Sequence, residues 1–187
     1  MVQVDLAALS VTQANRKIRE LGAQGQDVEV VNPDARHHIG VGLIHPIKVH
    51  VRGSAGYFCA GLADGARFEV AGNAGWGLAD NMYKGTVVVK GNASAIAALA
   101  IRGAEVIVRG NIGSRAGQVM KAGTLCCAGN ASFMAGYMMY GGRIIILGDS
   151  GERVGEDMAA GEIYVGSKVL SLGSAAELTD IASEEVD

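Results

Sequence analysis

The residues able to do chemistry are few, and their spacing serves it poorly. The three cysteines are Cys59, Cys126 and Cys127. An odd number, two of them adjacent and none in a CxxC arrangement, gives neither a disulfide framework nor a zinc site. They read as small buried residues of a cytosolic protein. His37, His38 and His45 form the only histidine cluster. Neighbouring histidines in an extended chain point to opposite sides, and no acidic ligand stands at metal spacing beside them. They read as a polar loop, with any further role left open. The stretch VVVKGNASAIAALAIRGAEVIVRGNIGSRAG, residues 87 to 117, is glycine-rich in the manner of a phosphate loop. It lacks GxxxxGK[ST], and no GxGxxG follows a strand and opens a helix.

The same stretch says one phrase twice, Val-Val-Val-Lys-Gly-Asn and then Val-Ile-Val-Arg-Gly-Asn. Gly53, Gly72, Gly91, Gly110, Gly129 and Gly148 stand 19 residues apart, and Gly166 follows at 18. Four places before each glycine are Val49, Phe68, Val87, Val106, Leu125 and Ile144, and two before are Val51, Val70, Val89, Val108, Cys127 and Ile146. Apolar residues at every second place make a strand with one face always buried. Further apolar columns lie six and ten places after the glycine, from Cys59 to Val154 and from Ala63 to Met158. Columns of small residues separate these faces, as corners with positive φ or close backbone approach require. A fixed period of this kind is the signature of a solenoid.

The sequence therefore predicts an all-β fold, a right-handed parallel β-helix of six to seven 19-residue coils. Left-handed solenoids carry a hexapeptide period and 18 residues per coil, which is why the right hand is expected. Asn73, Asn92, Asn111 and Asn130 follow the repeat glycine directly. Asparagine tolerates left-handed turns, and stacked amides can bond to one another as a ladder. On that basis Asn111→Leu is expected to destabilise more than Ser54→Leu. Residues 1–48 are expected as an N-terminal cap, 49–170 as the β-helix, and 171–187 as a C-terminal cap with an acidic tail. Within the first, Ser10-Val-Thr-Gln13 resembles a capping box for a helix near 11–21, and Val28–Val31 reads as a strand. A second short capping helix is expected near 174–182.

Two outward columns carry the functional expectations. Asp64, Tyr83, Arg102, Lys121 and Tyr140 share one column, a polar stripe of the kind that could line a catalytic groove. Charges on a solvated ladder are the plainer explanation. The outward column between the two buried strand columns begins at His50 and Glu69, then turns apolar at Val88, Ile107, Cys126 and Ile145. The coil from residue 129 adds Phe133, Tyr137, Met138 and Tyr140. Val88, Ile107, Ile145, Phe133, Tyr137, Met138 and Tyr140 are accordingly expected to form a partner interface, since contiguous exposed apolar surface marks one. The net charge of −3 lacks the basic footprint of a nucleic-acid binder. No apolar run approaches a membrane span and no signal segment opens the chain, so a cytoplasmic location is expected. No nucleophile–base pair, paired carboxylates or metal cluster stands out.

At VRGSAGYFCAGL and the Gly-Asn-Ala coils that follow, the sequence resembles the C-terminal GXGXG domain of the glutamate synthase large subunit. The tracts GNAGWGLADNMYKGTVVVKGNASA, GNIGSRAGQVMKAGT and GDSGERVGEDMAAGEIYVG are similar to the free-standing form of that domain, the β-helix subunit of N-methylglutamate synthase and related complexes. A weaker similarity extends to the formylmethanofuran dehydrogenase subunit built on the same repeat. The resemblance implies a β-helix without catalytic residues that bridges a glutamine amidotransferase-like subunit and a synthase subunit. FMN and an iron–sulfur cluster would then belong to the synthase partner, with no cofactor in this chain. The rivals are a formylmethanofuran-type subunit, a stand-alone β-helix enzyme using the polar column, and a homo-oligomer built on the apolar face.

Overall fold

The structure is a computed structural model that describes residues 1–179. One helix and nine strands follow one another as β1 (Val2–Asp5), α1 (Val11–Ala23), β2 (Val28–Val31), β3 (Lys48–Val51), β4 (Asp64–Val70), β5 (Lys84–Val89), β6 (Arg102–Val108), β7 (Ala122–Cys127), β8 (Arg143–Ile146) and β9 (Glu162–Val165). All nine strands form one parallel sheet whose spatial order is the chain order. Each strand pairs with the next after one circuit of the chain, which is a parallel β-solenoid. Val49 pairs with Phe68, Phe68 with Val87, Val87 with Val106, and so on to Ile144 with Ile163. The 19-residue period is thus the length of one coil. A second ladder of isolated bridges runs through Ala55, Ala74, Ala93, Ile112, Ala131, Ser150 and Val169.

The four apolar columns line the core. Phe68, Val87, Leu125, Ile144, Leu78, Met82, Ile101, Met120 and Met139 are all fully buried. Burying such a side chain contributes roughly 1.5–3 kcal/mol, and stacking repeats it coil by coil. A short arc leads from the bridge ladder back to each strand, and its backbone is unusual. Every second residue is left-handed: Phe58, Ala60 and Leu62 in one coil, Arg115, Gly117 and Val119 three coils on. The amides consequently point alternately up and down the stack. Arg115 N–H donates to Phe133 O at 2.8 Å in the next coil, and Gly117 N–H to Ala97 O at 2.8 Å in the one before. Left-handed L-residues cost about 1–2 kcal/mol each, which these ladder bonds and the buried alanines beside them offset.

The asparagine column makes a ladder of another kind. Asn92, Asn111 and Asn130 donate their backbone N–H to the side-chain oxygen of the preceding asparagine at 2.8 Å. Ser54 begins the series, accepting from Asn73 N–H, and Asp149 ends it, accepting from Lys168 N–H. The bonds run from side chain to backbone rather than amide to amide. The asparagines have ordinary negative φ, so the hydrogen bond and not a left-handed turn selects them. The same bond explains the repeat glycine. A Cβ on Gly110 would meet the Asn92 carboxamide oxygen and lie 2.9 Å from Gly91 O.

The final unit keeps its strand register, because Ile163 follows Ile144 by 19 residues. Lys168 takes the asparagine column and Ser167 the glycine column, so Gly166 is not the seventh repeat glycine. The shortened step lies later, since Ser150 bridges Val169 at 19 but Val154 bridges Leu172 at 18.

The first 48 residues do two jobs. β1 and β2 add two rungs to the sheet, Val4 opposite Val30 and Val30 opposite Val51. Helix α1 begins at a capping box, in which Gln13 N–H donates to Ser10 Oγ and Ser10 N–H to Gln13 Oε1. It packs on β1 and β2 through buried Ala14 and Ile18. Buried Asn15 pins the first arc by donating to His38 O at 2.7 Å and accepting from Gly40 N–H at 2.8 Å. At the other end no second helix forms over residues 174–179, which hold a turn and irregular chain instead. Ser174 donates its N–H to Glu156 at 3.0 Å and its hydroxyl to Asp157 at 3.1 Å, fixing a turn where the helix was expected. Residues 180–182 of that expected helix lie outside the described residues.

Candidate partner surfaces

The expected interface residues fall on two faces. Val88, Ile107, Cys126 and Ile145 are register partners on the outer side of the sheet, each half-buried. The stripe is narrow and edged with charge. Arg67, Glu69, Lys90 and Arg109 surround Val88 and Ile107 in a shallow depression. Glu69 pairs with Lys90 at 2.6 Å, and this bond holds its carboxyl below the usual range. At the far end Arg143 Nε donates to Glu162 at 2.8 Å.

Tyr137 and Met138 lie instead on the arc, with Phe133 at its entrance and Tyr140 at its exit. The arc stands across the core from the sheet: a Cβ on Gly117 would collide with the Ile144 side chain, and one on Gly136 with that of Ile163. A single contiguous interface is therefore replaced by two surfaces on opposite sides of the molecule. The physical reason is the corner of small residues between Gly129 and Tyr137, which turns the chain away from the strand direction.

The arc surface is the broader apolar one, and most of it was missed in the sequence. Phe58, Leu62, Ile96, Leu99, Val119, Tyr137 and Met138 decorate successive coils, with Leu62 58% and Met138 37% exposed. The signal was present in the columns five, eight and nine places after the repeat glycine. Reading them required knowing that the arc's backbone alternates hand, since neither a 2-residue nor a 3.6-residue period describes it. Asp80 interrupts this surface. Partial burial pushes its carboxyl up, while Asn81 Nδ2, donating at 2.7 Å, opposes the shift. At the last coil Glu156 is buried, bound by Arg153 and by Ser174 N–H at 3.0 Å. The Arg153 guanidinium, first, and Ser174 hold its carboxyl below the usual range.

The other candidates are quickly placed. His37 stacks on Tyr57 at 4.3 Å and accepts Tyr57 N–H through Nδ1 at 2.9 Å, while His38 stacks on Phe58. Both are held as turn residues. His45 packs against Gly22 of α1. In the polar column the Arg102 guanidinium lies 5.1 Å from the Tyr83 ring centroid, a cation–π contact. Cys59 and Cys127 are buried in the core whereas Cys126 points out from the sheet, so the three thiols do not converge. Burial pushes the Cys59 thiol up to about 12. This donor set does not fit an iron–sulfur cluster, and among the described residues no group of three or more His, Cys, Asp or Glu is placed to hold a metal. Among them, too, no helix is long and apolar enough to cross a membrane.

A parallel β-solenoid with a charge-edged sheet face and an apolar arc face belongs to the class of solenoid repeat proteins, in which each coil contacts only its neighbours. The chain belongs to the GXGXG motif family, which matches residues 28–187. A glycine at every second place is the spacing of the left-handed arc residues, and Gly40 and Gly42 occupy two of them in the first arc. Among curated proteins the chain is similar to Protein GlxC of Rhizobium meliloti (strain 1021), 41% identical over 91 residues. That match covers 48% of this chain and 40% of the relative, so the chain spans less than half the length of the curated relative it matches.

Proposed function

We propose that this protein is a non-catalytic scaffold subunit of a glutamate synthase-like complex of the N-methylglutamate synthase type. In this reading it bridges a glutamine amidotransferase-like subunit and a synthase subunit that carries FMN and an iron–sulfur cluster. One observation carries the reading: two distinct outer surfaces, one a charge-edged stripe and one apolar, lie on opposite sides of one core, as a bridge requires. Membership of the GXGXG family agrees with it. The poor fit of the three cysteines to a cluster agrees with placing the iron–sulfur cluster in a partner.

The test is native mass spectrometry, with an absorption spectrum, on the protein purified under mild conditions from its own cells. Two larger companions and a flavin-plus-iron–sulfur spectrum are expected. A colourless protein bound only to itself would overturn the reading. Arg102→Ala with Lys121→Ala addresses the stand-alone enzyme: an intrinsic activity lost without loss of assembly would favour that rival.

A further inference from the structure

The arc begins at a column of outward side chains four places after the repeat glycine: Tyr57, Trp76, Ala95, Ser114, Phe133 and Glu152, with His37 ahead of them. Its first three rings stack. His37 lies on Tyr57 at 4.3 Å with 13° between planes, and Tyr57 on Trp76 at 5.7 Å with 23°. Then the stack stops. The next two rungs are Ala95 and Ser114, and an aromatic ring returns only at Phe133. The Arg115 guanidinium, 5.9 Å from the Phe133 centroid, covers that ring on the side of the gap.

The gap is a notch of defined chemistry. Coils repeat at about 4.8 Å, so the levels of Trp76 and Arg115 are about 10 Å apart. A ring in van der Waals contact on both faces needs about 3.5–4 Å to each side, so one ring fits between indole and guanidinium. Trp76 is 52% exposed although Tyr57 covers one of its faces, so its remaining surface is open to solvent. The base of the notch is small, formed by Ala95 and Ser114, whose Oγ lies 3.3 Å from Ser132 Oγ. Along residues 73–77, 92–96, 111–115 and 130–134, Arg115 is the only charged side chain. Indole faces and guanidinium planes both favour aromatic rings, and an unopposed arginine favours an anion.

We infer that this notch binds a planar aromatic ring carrying an adjacent anionic group, the ring stacking on Trp76 beneath the Arg115 guanidinium. The inference is independent of the scaffold reading. The same chemistry is offered by a free aromatic carboxylate or by an aromatic residue beside an acidic one on another polypeptide.

The chain has a single tryptophan, so one indole N–H signal reports the site directly by NMR. Titration with 4-hydroxyphenylacetate is expected to shift this signal and the Ala95 methyl saturably. Cyclohexylacetate, of equal charge but without a flat ring, is expected to bind several-fold more weakly. Arg115→Gln should weaken binding about tenfold, and Ala95→Phe, which supplies the missing ring from within, should abolish it. The blocked dipeptide acetyl-Asp-Tyr-amide distinguishes the sources: tighter binding than the free acid assigns the site to a polypeptide, weaker binding to a small molecule. The absence of saturable shifts with either probe overturns the proposal, as do equal shifts with cyclohexylacetate. Should Ala95→Phe fail to fold, an unchanged affinity in Arg115→Gln overturns it alone, because that substitution is on an exposed side chain.

Discussion

Sheet and arc share one period and one core, yet they constrain their residues in different ways. On the sheet the backbone is ordinary strand, and only the inward positions are dictated. The outward column can pass from Glu69 to Val88 to Cys126 without disturbing the ladder. On the arc the backbone alternates hand, and the left-handed column at its middle, which faces the sheet, holds only alanine or glycine in these coils: Ala60, Ala79, Ala98 and Gly117. The difference teaches where stability is brittle and where a surface is free to specialise.

The largest expected effect follows from that contrast. Gly117→Val places a branched side chain at φ +71° and into the Ile144 side chain. Strain and overpacking together should cost roughly 3 kcal/mol. Ile107→Thr on the sheet's outer column should change stability by less than about 0.5 kcal/mol. Denaturant unfolding of the two variants checks the pair, and equal losses would erase the distinction.

A smaller effect is expected in the turn ladder. Asn111→Leu leaves Asn130 N–H without its acceptor, and Ser54→Leu does the same to Asn73 N–H. Each should cost about 1 kcal/mol. From the sequence, Asn111 was expected to show the greater loss for having neighbours on both sides. In the structure each side chain accepts one bond, from the following coil alone, so nearly equal melting temperatures are now expected.

Acid sharpens the comparison at the last coil. Glu156 at the arc's end and Asp149 in the turn ladder both have carboxyls held below their ordinary range, Glu156 chiefly by Arg153 and Asp149 chiefly by Ser167. Folded values below the unfolded ones mean that both groups stabilise fully above the ordinary carboxylate range. That contribution is lost as pH falls through the depressed folded values. The stability of Glu156→Gln should accordingly fall less steeply under acid than that of the natural protein. The exposed Glu69–Lys90 and Arg143–Glu162 pairs on the sheet should add little. Thiol labelling gives the smallest signal. In the native state Cys126 on the sheet's outer face should react with an aromatic disulfide, while buried Cys59 and Cys127 wait for unfolding.

Much of this could be read in advance because a strand writes its burial every second residue. Val49, Phe68 and Val87 announced the sheet, Leu78 and Met82 the inner arc, and Ser10 with Gln13 the helix start. The arc's outer surface was illegible because no regular period describes a backbone that changes hand at each step. Phe133 and Tyr137 were thus assigned to the face of Val88 and Ile107, across the core from where they lie. The column of Tyr57 and Trp76 went unread for a related reason: its aromatic pattern breaks at Ala95, and only the geometry shows the break to be a notch.

The central claim, that one rigid coil joins two partners through opposite faces, is tested most directly on the assembled complex. Ile107→Arg on the sheet and Val119→Arg on the arc would each be followed by native mass spectrometry. Each variant is predicted to lose a different companion and keep the other. Loss of the same companion from both variants, or of neither, would contradict the claim.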